Sequence, residues 1–190
     1  PRPDTEILVE ETIKIAKKMT NPKILDLCTG SGAIAISIAK NVKDADVYAV
    51  DISEKALNIA KTNAKRLEVF DKINFLKSDL FQNIEKTKFD IIVTNPPYIK
   101  KEDITYLSKE VQKEPLLALD GGVDGLDVYK KILNQSIDYL KFGSYICMEI
   151  GYDQKQDVLK IIQDIDKYVD TYSKKDLCGN DRIIVTKVGG

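Results

Sequence analysis

Histidine and tryptophan are absent from the 190 residues, and cysteine occurs only three times. Without histidine the chain lacks the side chain that most often serves as general base near neutral pH. It also lacks the commonest zinc ligand, and Cys28, Cys147 and Cys178 stand too far apart for a paired metal motif, so no metal is expected. An odd, scattered cysteine set cannot complete a disulfide framework and suits a reducing, cytoplasmic setting. No apolar run approaches the roughly 20 residues that a spanning helix needs, and no signal-peptide pattern occurs, so no membrane partner is expected. Surplus charge is missing too: 29 Lys and Arg stand against 30 Asp and Glu. That balance supplies no general basic field and argues against a nucleic-acid partner. Any chemistry must rest on positioning and electrostatics, or on carboxylates and lysines.

What is present is an ordinary globular balance, with 43% hydrophobic and 31% charged residues, enough for one domain with a full core. The chain opens at Pro1 rather than Met, and is expected to be a fragment of a longer protein. Apolar strand-like runs alternate with amphipathic helical stretches, the pattern of an α/β domain with a mostly parallel sheet. Helical spacing over Ile7, Leu8, Glu11, Ile15 and Met19 ends at Pro22. Strands are expected at Lys23 to Cys28, Asp46 to Asp51, Ile73 to Lys77, Phe89 to Thr94 and Ser144 to Ile150. Helices are expected at Ala33 to Lys40, from the Ser53 cap to Leu67, at Asp127 to Lys141 and at Gln154 to Asp166. Two last strands, around Val169 to Ser173 and Arg182 to Lys187, can pair as a hairpin. The stretch from 100 to 125 is a long loop, of the kind that often forms a lid or a binding loop.

Asp26-Leu27-Cys28-Thr29-Gly30-Ser31-Gly32 follows a strand and opens a helix. Glycines there let the backbone turn sharply and approach a ligand. Asp51, with Ile52 after it, ends the next strand, where a carboxylate can accept from both hydroxyls of a ribose. Gly30-x-Gly32-x-x-Ala35 also satisfies the dinucleotide fingerprint, so these residues alone leave an NAD-dependent oxidoreductase open. The third strand ends in Ser78-Asp79-Leu80-Phe81, where an Asp can accept from an adenine amino group and the next two residues supply an apolar wall.

The fourth strand ends in Asn95-Pro96-Pro97-Tyr98. Two prolines fix φ and remove two donors, leaving the Asn95 and Pro96 carbonyls as acceptors with little freedom. The Asn95 side chain adds another acceptor, and Tyr98 a flat face. Two fixed acceptors suit the two hydrogens of a planar NH2, whose delocalised lone pair is weakly nucleophilic. Holding that nitrogen against a sulfonium methyl needs register and acceptors more than a strong base, which agrees with a chain lacking histidine.

Asp26 to Gly32, Asp51, Asp79 and Asn95 to Tyr98 together resemble the class I S-adenosylmethionine methyltransferases that carry an Asn-Pro-Pro-Tyr motif. Pro1-Arg2-Pro3-Asp4-Thr5-Glu6 narrows the resemblance to the release-factor glutamine methyltransferases, the PrmC/HemK family. So do Glu114-Pro115-x-x-Ala118-Leu119 with Gly121-Gly122-x-Asp124-Gly125-Leu126, Glu149-Ile150-Gly151 with Gln154, and Asp176 through Gly179, Asp181 and Arg182. The resemblance implies a Rossmann-like, seven-stranded, mostly parallel sheet with helices on both faces and an antiparallel last strand. It implies S-adenosylmethionine as cofactor, S-adenosylhomocysteine as product, and release factors as partners, methylated on the Gln of a Gly-Gly-Gln motif. Asp26, Cys28, Thr29, Gly30, Ser31, Gly32, Asp51, Ile52, Asp79, Leu80 and Asn95 would then hold the cofactor. Asn95, Pro96, Pro97 and Tyr98 would hold the substrate, with Asn95, Pro96 and Tyr98 catalytic. The family carries a helical domain before the Pro-Arg motif, expected to be absent from residues 1–190, which form the catalytic domain. Cys28 departs from the family's usual Gly. A glutamine of a ribosomal protein, or an adenine or guanine of DNA or RNA, presents a similar NH2 and stays open as acceptor. A cofactor-binding scaffold without turnover also stays open.

Overall fold

The computed structural model describes residues 3–107 and 115–189. Pro1, Arg2, the side chains of Pro3 and Asp4, and Glu114 lie outside the described residues. Helix α1 covers Pro3–Ala16, and strand β1, Lys23–Leu27, follows it. Next come α2, Ala33–Asn41; β2, Asp46–Asp51; α3, Glu54–Arg66; β3, Ile73–Lys77; and β4, Phe89–Thr94. The chain closes with α4, Asp127–Ser136; β5, Leu140–Glu149; α5, Lys155–Gln163; β6, Tyr168–Lys175; and β7, Asp181–Val188. Three strands fall where the apolar runs put them.

Several expected bounds shift: β5 starts at Leu140 rather than Ser144, α5 ends at Gln163 rather than Asp166, and two further differences have a clear cause. The helix drawn from Asp127 to Lys141 stops at Ser136, and a 3-10 turn over Ile137–Tyr139 leads into β5 at Leu140. The apolar residues Ile137 and Leu140 keep helical spacing, but Phe89 of β4 pairs with Leu140 and draws it into the sheet. Cys28 lies beyond β1, because its φ of +60° breaks the extended backbone.

One seven-stranded sheet runs in the order β3-β2-β1-β4-β5-β7-β6. The first five of these run parallel, and β7 is antiparallel to both neighbours. The strand order reverses between β1 and β4, and in open α/β sheets ligands bind at the carboxyl ends of the strands at such a switch point. Strand register sets those ends in one row: Leu27 lies beside Val50 and Thr94, Thr94 beside Met148, and Asp51 beside Lys77.

Because side chains alternate along a strand, each buried strand feeds two cores. On one face Ile24, Ile91, Val93 and Val185 pack with Leu8 of α1 and Ile36 and Ala39 of α2. On the other Leu25, Leu27, Ile92 and Ile146 pack with Tyr129 and Leu133 of α4 and Val158 of α5. Helix α3 begins at the Ser53 cap, whose hydroxyl accepts from the Ala56 N–H, and buries Leu57, Ala60 and Ala64 at helical spacing. Each fully buried Leu or Ile contributes about 1.5–3 kcal/mol, so the strands that carry the site are clamped from both sides. Among the described residues no helix is long and apolar enough to cross a membrane.

Candidate active site at the carboxyl ends of the strands

The turn after β1 is braced from beneath by Asp26. Its carboxylate is wholly buried; Oδ2 accepts from the Thr29 hydroxyl at 2.6 Å and the Ala35 N–H at 3.1 Å. Oδ1 is buried without a hydrogen-bond partner. Burial raises the carboxyl to about 7 against the two bonds that favour its charge. Thr29 is buried too, so Asp26 and Thr29 shape the turn rather than line an open surface.

The two glycines differ in task. Gly30 has φ +55° and open space where a Cβ would stand, the cradle a ligand needs. Gly32 has φ +81°, and a Cβ there would stand 2.9 Å from the Ala60 Cβ, so its bareness serves the packing of α3. The sequence alone assigned both to ligand approach. Ser31 is exposed at the same turn, its carbonyl accepting from Asn63 Nδ2.

Asp51 ties this turn to β2. Oδ2 accepts from the Gly30 N–H and Oδ1 from the Ser53 N–H, each at 2.9 Å. A carboxylate has about four lone-pair sites, so each oxygen keeps capacity for a hydroxyl donor. Ile52 is 44% exposed beside it, an apolar surface held at the rim. Asp79 is exposed, Leu80 is half-buried with φ +47°, and Phe81 is buried beneath. The Cys28 thiol is pushed up to about 12 by burial, with Asp51 and Asp26 adding to it. It stays protonated near neutral pH and is no nucleophile.

At the other end, Thr94 Oγ1 donates to the Leu27 carbonyl at 2.9 Å, locking β4 to β1 one residue before the Asn95-Pro96-Pro97-Tyr98 motif. Asn95 and Pro97 are half-buried and Pro96 is buried. The Tyr98 carbonyl is taken by Gln154 Nε2 at 2.9 Å. Gln154 also donates to the Gly125 carbonyl, and its Oε1 accepts from the Gly151 N–H. The loop returns alongside the motif: Ile99 and Asp120 form a parallel bridge, and a Cβ on Gly121 would stand 2.8 Å from the Tyr98 Cα. Within this loop, short 3-10 turns occur at Asp103–Tyr106 and Leu116–Ala118.

Three residues outside the expected site reach it. Glu149, 2% exposed at the end of β5, accepts from Thr5 Oγ1 at 2.8 Å and from the Tyr98 hydroxyl at 3.4 Å. Asn95 Nδ2 in turn donates to Thr5 Oγ1 at 3.3 Å. Thr5, Glu149 and Gln154 stood in sequence motifs without a role, and their place as polar residues inside motifs of the resembled family was the signal that could have found them. Tyr129 secures the strand end, donating to the Glu149 carbonyl at 3.0 Å. Among the described residues no group of His, Cys, Asp and Glu could hold a metal ion.

The chain matches the methyltransferase small domain family over residues 3–116. It is 44% identical over 98% of its length to a release factor glutamine methyltransferase of Fusobacterium nucleatum, covering 53% of that protein. It is 42% identical over its whole length to one of Clostridium acetobutylicum, covering 67% of that protein. A solved release factor-specific protein-(glutamine-N5) methyltransferase of Alicyclobacillus acidocaldarius aligns with a TM-score of 0.62 at 27% identity, over the whole chain and 94% of that structure. The chain thus spans between about half and two thirds of the length of these curated relatives. Fold, site and these likenesses define a class I S-adenosylmethionine-dependent methyltransferase domain. Within that class the chain belongs to the release factor glutamine methyltransferase family.

Proposed function

We propose that this domain transfers a methyl group from S-adenosylmethionine to the side-chain amide nitrogen of the Gln in the Gly-Gly-Gln motif of peptide chain release factors. The observation that carries it is Asn95-Pro96-Pro97-Tyr98 at the end of β4, next to a turn whose Gly30 faces open space and whose neighbour Asp51 keeps acceptor capacity. Asp51 would hold the ribose hydroxyls, Ile52 and Leu80 the adenine faces, and Asp79 its amino group. Gly30, Ser31 and Gly32 would line the turn, with Asp26, Cys28 and Thr29 supporting it from below.

S-adenosylmethionine, when bound, supplies an electrophilic methyl group. The chain's own residues hold the other reactant. The Asn95 side-chain oxygen and the Pro96 carbonyl would accept the two amide hydrogens of the substrate, and Pro97 would keep that segment rigid. Tyr98 would lie against the flat amide. These acceptors return electron density to nitrogen and stabilise the positive charge that develops on it. Methyl transfer to that nitrogen would leave S-adenosylhomocysteine, and the methylated nitrogen, acidic after attack, would lose its proton to water. Placing both reactants in register can supply about 7–11 kcal/mol in the best cases, without a histidine base.

The test is methyl transfer from labelled S-adenosylmethionine to an unmodified release factor, with the site mapped by mass spectrometry. A methyl on the Gly-Gly-Gln glutamine is expected. Cofactor binding with transfer only to a ribosomal protein or to nucleic acid would replace the substrate.

A further inference from the structure

Thr5 and Glu149 have no task in the reaction as described, yet both are buried and joined to the acceptor motif. Thr5 is 5% exposed on α1, and Glu149 is 2% exposed at the end of β5. Thr5 lies 90 residues from Asn95 and 144 from Glu149 in sequence, so only the fold brings the three together.

We propose that Thr5, oriented by Glu149, is a positioning residue that fixes which way round the Asn95 amide stands. The proposal rests on the reading of Asn95 Oδ1 as an acceptor for the substrate amide. A threonine hydroxyl has one proton and two lone pairs. The Thr5 proton is committed to Glu149 Oε2 at 2.8 Å. Towards Asn95 the hydroxyl therefore offers only lone pairs, and only the NH2 end of the Asn95 amide can face it, as the 3.3 Å contact from Nδ2 records. The opposite flip would set two oxygens against each other with no proton between them, at a part-buried position where such a mismatch is unfavourable. With Nδ2 turned to Thr5, Oδ1 faces the other way.

The same carboxylate reaches the second polar side chain of the motif, since Glu149 Oε1 accepts from the Tyr98 hydroxyl. Both Asn95 and Tyr98 are thus registered to one buried anchor, itself held by the antiparallel pairing of β5 with β7 and by Tyr129 on its carbonyl. A misoriented Asn95 would leave the cofactor turn untouched, because the Asp51 bonds to Gly30 and Ser53 do not pass through Thr5.

The test uses the whole chain labelled with nitrogen-15. Disappearance of one side-chain amide pair in Asn95→Ala identifies the Asn95 signal. In the unsubstituted chain and in Thr5→Ser that pair is expected away from the free-asparagine position and slow to exchange. In Thr5→Val, which keeps the shape and removes the hydroxyl, it should move to the free position and exchange about tenfold faster. Against a release factor, Thr5→Val should lower kcat about tenfold while the S-adenosylmethionine Kd stays within about twofold, and Thr5→Ser should recover to within about threefold. Glu149→Gln is the second variant: its NH2 can donate to Thr5, releasing the Thr5 proton towards Asn95 Oδ1, and the Asn95 signal should change as in Thr5→Val. An unmoved Asn95 signal in Thr5→Val or Glu149→Gln overturns the proposal, as does a Thr5→Ser variant as impaired as Thr5→Val. A chain that binds S-adenosylmethionine but methylates no release factor would instead sink the substrate assignment, while the amide signal still reports on Thr5.

Discussion

The two ends of the proposed site are built in different ways. At the cofactor end, Asp26, Thr29, Gly30 and Asp51 come from 26 consecutive residues, and their hydrogen bonds run between one turn and the next strand. At the acceptor end, Asn95 depends on Thr5, Tyr98 on Glu149 and Gln154, and the loop on a bridge from Asp120 back to Ile99. On the proposed reading, a nucleoside is held by one β-turn-α unit, whereas the proposed amide site recruits side chains from across the fold. Substitutions should separate the two ends cleanly.

The sharpest separation is expected from Asn95→Ala. Losing a side-chain acceptor aimed at developing charge should lower kcat by about 100- to 1000-fold, with cofactor Kd within about threefold by calorimetry. A variant with unchanged turnover would remove Asn95 from the mechanism. Asp51→Ala should do the reverse, weakening cofactor binding about 10- to 100-fold, since it deletes acceptors and unties Gly30 from Ser53. An unchanged Kd would show the ribose contact to be misassigned.

Asp26 gives the cofactor end a pH signature. Its folded-state value of about 7 lies above the ordinary 3.8, chiefly through burial. Between those values the folded chain holds a proton that the unfolded chain releases. The contribution is therefore full below about pH 4 and declines as pH rises through about 7. Denaturant titrations from pH 5 to 8 should show stability falling by an amount on the order of 1–4 kcal/mol relative to Asp26→Asn. Parallel profiles for the two chains would show that Asp26 does not hold the extra proton.

The smallest effect belongs to Cys28. Cys28→Gly relieves a left-handed backbone worth about 1–2 kcal/mol but gives the unfolded chain back about 0.4–1 kcal/mol of freedom, so stability should change by no more than about 1.6 kcal/mol. In the unsubstituted chain a thiol reagent should label exposed Cys178 first and leave Cys28 and Cys147, both raised to about 12, slow. Rapid labelling of Cys28 would contradict its protonated state.

Several strands are legible in the residues themselves. Those at Asp46–Asp51 and Phe89–Thr94 coincide with apolar runs, because a strand covered on both faces must be apolar nearly throughout, and the edge strand Ile73–Lys77 keeps its expected bounds with only Ile73 buried. The end of α4 was not legible, because Ile137 and Leu140 continue a helical rhythm and only pairing with Phe89 turns Leu140 into β5. Nor was the task of Gly32, whose neighbour Ala60 is distant in sequence.

By itself the sequence determined the local units: the glycine turn after an apolar strand, the carboxylate at the next strand end, and the proline-stiffened Asn95-Pro96-Pro97-Tyr98. Each is a short-range pattern whose backbone preferences are set within a few residues. Only the tertiary structure decided that Thr5 and Glu149 stand behind Asn95, that Gln154 holds the Tyr98 carbonyl, and that Asp26 is buried beneath the turn rather than open to it. The physical reason is that hydrogen-bond partners of buried polar groups are set by which strand ends and helices pack together, and sheet order and burial are properties of the whole chain.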